Sequence, residues 1–375
     1  MNPTSEAELA EAIATAKGPL RIQGGGTRPI GNPVEGEALT TSGLSGITLY
    51  EPGALTIVAH AGTPMTEIEA ALDAENQMLP FEPMDHRALL GTDGTPTIGG
   101  VVAANVSGPR RVQAGACRDS LIGVRFVNGE GTVIKNGGRV MKNVTGYDLV
   151  KLMAGSYGTL GVVSEVSFKV LPKPDTASVL LINNLTLEDG VKAMAKALSS
   201  PYEVSGAAHT PSGIDGHPVT MLRLEGFENS VAYRADELKK LLQAYGDILV
   251  ESDPERTRAG WKWVRDGEAF AGFEGDIWRF SIKPSDAPAL LEHLAETAGE
   301  EIRSLLDWGG GLVWVGCPAG KDLRQGIPSG HATLVSAKTV GVPVFHPEAA
   351  PLAKLASDLR AQFDPKGILN PGLMG

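Results

Sequence analysis

Apolar residues recur every three to four positions across 5–17, where Leu9, Ala12, Ile13 and Ala16 make one stripe. Ser5, with Glu8 three places on, reads as a capping box, so the pattern predicts a helix. "GPLRIQ" predicts a short strand running into "GGGTR". Residues 55–60 predict a strand, Gly62-Thr63-Pro64 a turn, and 64–75 a helix. "SLIGVRFVNGEGTVIKN" predicts a hairpin, with strands 121–127 and 132–135 joined at Asn128-Gly129. "NVTGYDLVKLMAG" predicts a short helix, and "LGVVSEVSFKVLP" a long alternating strand.

The two prolines of "LPKPDT" (171–176) mark the best domain boundary. Beyond it run a strand "ASVLLINN", a helix 187–199, a strand "VTMLRLEGF", a helix 230–245 and a strand "GDILVES". This β-α-β-β-α-β rhythm predicts an antiparallel sheet with helices on one face. A strand "IWRFSIKP", a helix 285–299, a strand "GGLVWVG" and a last helix before a turn-rich tail follow. No internal repeat is visible. The expected class is α+β.

The chain has 375 residues, 42% hydrophobic and 21% charged, enough for two to three domains at about 150 residues each. A net charge of −11 argues against nucleic acid and anionic membrane surfaces as partners. The two cysteines, Cys117 and Cys317, are too few for a disulfide framework and form no CxxC pair for an iron–sulfur cluster. The N-terminus lacks the basic and apolar regions of a signal peptide. No run approaches the ~18 apolar residues of a membrane span. A cytoplasmic protein is expected.

Two side-chain-poor stretches carry the candidate chemistry: "QGGGTRPIG" (23–31) and "GTPTIGGVVAANVSGP" (94–109). Backbone approaches a phosphate or a flat ring closely where Cβ is missing, and successive amides in a turn form an anion nest. No GxxxxGK[ST] phosphate loop exists. A dinucleotide GxGxxG fails because Pro29 stands where the third glycine belongs. A tight turn alone would also explain "GGGT". The second stretch adds Thr97, Asn105 and Ser107 as hydrogen-bonding groups among small residues, which suits a large phosphorylated cofactor filling the space beside them.

Taken in order, "GGGT", "YEPGALTIVAHAGTPMTEIEAAL", "GTPTIGGVVAANVSGP", "RDSLIGVRFVNGEGTVIKNGG" and "VMKNVTGYDLVKLMAGSYGTLGVVSEVSFKVLPKP" resemble the FAD-binding domain of the vanillyl-alcohol oxidase / p-cresol methylhydroxylase (PCMH-type) superfamily. The C-terminal "FDPKGILNPG" is similar to the closing motif of its glycolate and D-lactate branch, and within that branch to the smaller flavin-type subunits of bacterial glycolate oxidases. The resemblance implies a two-lobed FAD-binding domain over 1–174, a smaller α+β cap domain over 175–350, and a segment 351–375 returning to the first. It carries Gly24, Gly25, Gly26 and Thr27 onto the pyrophosphate loop, and Thr97, Gly99, Gly100, Asn105, Ser107 and Gly108 onto the second FAD stretch. Gly115, Arg118 and Asp119 fall on the segment beside the cofactor. Lys142, Gly146, Tyr147, Asp148, Gly155, Gly158, Gly161 and Val162 fall on the part wrapping ribityl and adenosine, and Asn370 on the closing motif. Asp148 also reads as a plain helix-start hydrogen bond.

The loop "GGGTRPIG" has no histidine, and Cys117 lies past the place of a linking cysteine, so noncovalent FAD is expected. The superfamily's hydroxy-acid oxidases carry a histidine-rich "HxGDGNxH" segment that this chain lacks. Its histidines, at 60, 86, 209, 217, 293, 331 and 346, show no metal-ligand spacing, so no metal is expected. "GWKWVRDGEAF" resembles the family's Trp…Arg segment, which makes Arg265 a weak candidate for pairing with a substrate carboxylate. A surface arginine beside inward-packing Trp261 and Trp263 is its other reading, and Arg279 reads as structural. The resemblance implies a glycolate-to-glyoxylate oxidoreductase with two partners, a larger catalytic flavin subunit and an iron–sulfur subunit, attached to a membrane only through them. The alternatives are an assembly subunit poor in FAD and a stand-alone flavin oxidase of another 2-hydroxy acid.

Overall fold

The computed structural model describes residues 1–138, 146–213, 215–298, 302–327, 329–339 and 341–375. A five-stranded antiparallel sheet forms the centre of the first half, in the order Ile47–Glu51, Thr56–His60, Val162–Lys169, Leu121–Val127, Val133–Gly137. Val162–Lys169 is buried on both faces, so its expected alternation is one of chemistry and not of exposure. One face presents Val163, Val166 and Phe168 to the main core. On the other, Ser164 donates to Glu6 (2.6 Å), which also takes the Arg125 guanidinium and so ties the helix Glu6–Thr15 to the sheet. Ser5 caps that helix by accepting from the Glu8 amide, while the Glu8 carboxylate turns to Thr4.

The hairpin at 121–137 differs from a two-residue turn. Asn128 Oδ1 accepts from the amides of both Glu130 and Thr132, and Gly131 supplies the left-handed backbone (φ +85°). A parallel pair, Leu20–Gln23 with Glu37–Thr40, flanks the sheet. The chain returns to it at the C-terminus: the Leu20 amide donates to Ile368, and the Asn370 amide to Leu20.

An eight-stranded antiparallel sheet forms the second half, in the order Ile248–Glu251, Thr176–Asn183, Val219–Gly226, Gly206–Thr210, Arg303–Asp307, Leu312–Cys317, Asp276–Ser281, His331–Ser336. The first four strands, with helices Leu187–Leu198 and Glu228–Leu242, realise the β-α-β-β-α-β rhythm, with Gly206–Thr210 supplying the strand that is not among the predicted elements. The last four repeat the same strand order in mirror sequence, and the halves join at His209 opposite Leu306. This duplication is invisible in sequence. Arg303–Asp307 comes soon after the predicted helix 285–299 and is not among the predicted strands. His331–Ser336 is short, and the described part of its connector, 318–330, holds no second helix.

Both halves share one core: Phe81, Phe126 and Phe168 pack in the same cluster as Ile277, Leu305 and Trp314. A buried polar clamp crosses the same boundary. Arg223 forks onto Glu82 (2.9 and 2.8 Å), Arg110 pairs with Glu225 (2.7 Å), and the Trp261 ring lies 4.7 Å from the Arg223 guanidinium. Burial alone would raise the Glu82 pKa, but Arg223 and Arg110 outweigh it and hold the carboxyl below 4.5. Its contribution is therefore complete above about pH 4.5 and is lost as pH falls through the depressed value. Glu82→Gln should lower the unfolding free energy at neutral pH by roughly 2–4 kcal/mol, since it removes the forked partner of Arg223 and leaves Glu225 alone to balance both Arg223 and Arg110. In denaturant titrations at successive pH values, the deficit relative to wild type should shrink below pH 4.5.

Candidate functional site

The two bare stretches meet in space, and much of their bareness serves that meeting. A Cβ on Gly25 would fall 1.5 Å from the Thr95 carbonyl oxygen, and one on Gly94 1.9 Å from that of Gly25. On Gly24 it would strike Thr97 Oγ1 at 2.6 Å, and on Gly99 the Ala61 side chain at 2.6 Å. At these four glycines neighbouring protein, and not an absent ligand, occupies the space. Gly26 differs: its φ is +73° and nothing lies within 4 Å of its missing Cβ.

Beside the paired loops lies a cavity of about 560 Å³. Gly24, Gly25, Gly26 and Thr27 line one wall and Thr97, Gly99 and Gly100 another. Gly158, Gly161, Val162 and Asn370 complete the set of sequence-predicted residues that reach it. Asn370 fastens two walls: its Oδ1 accepts from the Ile22 amide (2.7 Å) and its Nδ2 donates to the Tyr157 carbonyl (2.8 Å).

The remaining candidates lie off the cavity lining. Asn105 (φ +47°) accepts from the Arg118 amide, and Ser107 from the Cys117 amide. Gly108 packs on the Glu82 carbonyl. Asp119 accepts from the Ala116 amide, next to the left-handed Gly115, and Arg118 forms a half-exposed pair with Asp119. Gly146 is left-handed and Tyr147 is 88% exposed. Asp148 caps the helix Leu149–Met153, the plainer of its two readings. The Gly155 amide donates to Val102. Lys142 lies outside the described residues.

The amide nest is at the first loop. Among the described residues, no acceptor takes the amides of Gly25, Gly26 and Thr27. The short helix Ile98–Ala103 does not offer the same, because its first amides donate to Thr63, Ala61 and Thr97. Arg28, which sequence reasoning passed over, projects from the nest. Its Nη1 donates to the Gly100 carbonyl (2.8 Å), and its Nε is sealed from solvent with no partner. Burial pulls its pKa below the ordinary arginine value. The cue lay in its position directly after "GGGT". A cation beside three free amides, with no carboxylate of the described residues within ion-pair distance, fits a diphosphate.

Tyr157, also passed over, lines the cavity at φ +51° with its ring edge on Phe345 (5.1 Å). Burial raises its pKa, against the pull of Arg279 and Arg28. His86 lies in the same neighbourhood, and burial, helped by Arg28, holds it well below 6.5 and therefore neutral. Arg265 is spoken for: its guanidinium forks onto Asp266 (2.8 and 2.8 Å). Arg279 carries no such pair, and burial brings it down to about 10. Cys117 is not among the lining residues, and burial pushes its thiol up.

Residues 1–137 match the FAD binding domain family. The glycolate oxidase subunit GlcE of Escherichia coli K12 is 38% identical over 98% of this chain and 95% of its own length. A D-lactate dehydrogenase of Archaeoglobus fulgidus is 25% identical over 99% of this chain and 90% of its own. Among solved structures, an alkyldihydroxyacetonephosphate synthase superposes with a TM-score of 0.73 at 16% identity, over 99% of this chain and 76% of that one, which establishes a shared fold.

Gly25→Ala should destabilise the cofactor-free protein severely, because its Cβ collides with main chain. Gly26→Ala should cost only the roughly 1–2 kcal/mol of left-handed strain. Thermal unfolding midpoints of the two apo variants test the difference.

Proposed function

The chain belongs to the FAD-binding oxidoreductase family that includes the bacterial glycolate oxidase subunit, and from that premise we propose that it is the FAD-holding subunit of a multi-subunit glycolate oxidoreductase. In this reading residues 1–174 hold the cofactor, 175–350 cap it, and 351–375 close the first unit through Asn370. The observation that carries it is the cavity where both bare loops meet beside the unpaired Arg28. The amides of Gly25, Gly26 and Thr27 with Arg28 would take the diphosphate. Thr97 and Gly100 would border it, while Gly158, Gly161 and Val162 would line the wall facing the flat or polyol parts of the ligand. Asn105, Ser107 and Gly108 with Gly115, Arg118 and Asp119 would shape the wall from behind, and Gly146 to Gly155 would do so from the far side.

When bound, FAD supplies the two-electron acceptor for an alcohol-to-carbonyl oxidation. Glycolate gives up two electrons and two protons to become glyoxylate, and the electrons leave through a larger flavin subunit and an iron–sulfur subunit. Binding is noncovalent: Cys117 keeps its proton and stands off the cavity. Among the described residues no helix is long and apolar enough to cross a membrane; the reading places the chain in the cytoplasm, reaching a membrane through its partners.

Purified chain titrated with FAD should show flavin absorbance that acid precipitation releases into the supernatant. Arg28→Met should raise the dissociation constant about tenfold or more, the loss of one charge-assisted contact. A protein that carries no flavin after gel filtration from excess FAD would favour the assembly-subunit reading. Glycolate turnover by the isolated chain would favour the stand-alone oxidase.

A further inference from the structure

Two sets of buried or half-buried arginines contrast in what they hold. Arg110, Arg223, Arg234 and Arg265 each hold a carboxylate: Glu225, Glu82, Glu203 and Asp266. Arg111 and Arg279, on opposite sides of the boundary between the two halves, hold none among the described residues. Their common neighbour is an indole. The Trp308 ring centroid lies 4.5 Å from the Arg111 guanidinium carbon and 5.3 Å from that of Arg279.

Trp308 is held there by several devices. It is 9% exposed, and its indole N–H donates across the boundary to the Gly108 carbonyl (3.0 Å). Its backbone is left-handed (φ +55°), a conformation unfavourable to a bulky side chain, and Asp307 Oδ1 accepts its amide at 2.6 Å. Gly309 and Gly310 continue the left-handed turn at φ +68° and +103°. Such strain persists only where surrounding contacts impose it. The turn "DWGGG" thus spends backbone strain on setting one aromatic ring against two desolvated cations. A ring face attracts a guanidinium more weakly than a carboxylate that accepts two charge-assisted hydrogen bonds.

We propose that Arg111 and Arg279 form a site for a small carboxylate at the boundary between the two halves, and that the Trp308 indole keeps this site closed in this chain. The inference uses the proposed function only to choose the ligand, a 2-hydroxy or 2-oxo acid or its analogue. The closure itself stands on the packing. With the ring in place, each guanidinium lies against a π face and the indole fills the space between them. With the ring removed, both present hydrogen-bond donors to one space. The chain would then hold its cofactor without an open substrate pocket beside it, and substrate oxidation in the complex would fall to a partner's site.

Isothermal titration of the full chain with oxalate tests this, with sodium chloride at matched ionic strength as the control, with and without FAD. Wild type should bind weakly and Trp308→Phe, which keeps a π face, no better. Trp308→Ala should bind about tenfold or more tightly than wild type, as two charge-assisted contacts become available. Adding Arg279→Gln should abolish the gain. Should the alanine variant fail to fold, Trp308→Leu fills similar space without a π face and should gain in the same direction. Wild type binding oxalate as tightly as a folded Trp308→Ala or Trp308→Leu variant overturns the proposal, and so does a gain that survives Arg279→Gln. Flavin absorbance in the same samples reads the cofactor assignment separately. Oxalate binding without flavin would keep the site and remove the functional reading; flavin without an oxalate gain would do the reverse.

Discussion

The main chain of Gly25 lies against the main chain of Thr95 at a distance no side chain survives. That contact brings loop 23–28 to the stretch 94–100, leaves the amides of Gly25, Gly26 and Thr27 without protein acceptors, and stands Arg28 over the Gly100 carbonyl. The cavity is a consequence of this approach. Two loops joined back to back through glycine expose their remaining polar groups on the other side. Asn370, arriving from the end of the chain, then holds the wall opposite by bonding Ile22 and Tyr157 together.

Charge is distributed around this centre in a way that follows from burial. Where a cation is deep and the chain means it to stay, a carboxylate accompanies it, as Glu82 accompanies Arg223 and Asp266 accompanies Arg265. Where no carboxylate accompanies it, the cation faces a cavity, as Arg28 does, or an aromatic ring, as Arg111 and Arg279 do. An isolated buried charge is costly, so these exceptions mark places where an anion or a π face completes the environment. Asp307, buried and pushed up to about 7, sits between the clamp and the Trp308 turn and adds a proton-holding group to the same boundary.

Much of the first half was legible from residue pattern, since its elements are bounded by glycine and proline with local reasons to be there. Asp148 caps a helix and Ser5 another, as short-range chemistry dictates. The site was less legible. Small residues at 94–100 read as room for a ligand, yet Gly94 and Gly99 answer to Gly25 and Ala61, contacts that only the tertiary fold creates. Arg265 looked available because its segment matched a family pattern; the neighbouring Asp266 turns it inward. Arg279 reads as structural; it sits mid-strand, where alternation says only which face it takes and not what lies across from it. The duplicated sheet left no trace because its two halves share topology and not side chains.

The central claim is that the unbonded amides after Gln23, and not the capped start of the helix at Ile98, receive the cofactor's diphosphate. Hydrogen exchange of the purified chain, measured with and without saturating FAD, tests this most directly. The account predicts strong slowing at the amides of Gly25, Gly26 and Thr27 when FAD is present, with little change at Ile98 and Gly99. Exchange at Gly25 to Thr27 that FAD leaves untouched, while flavin is demonstrably bound, would contradict it.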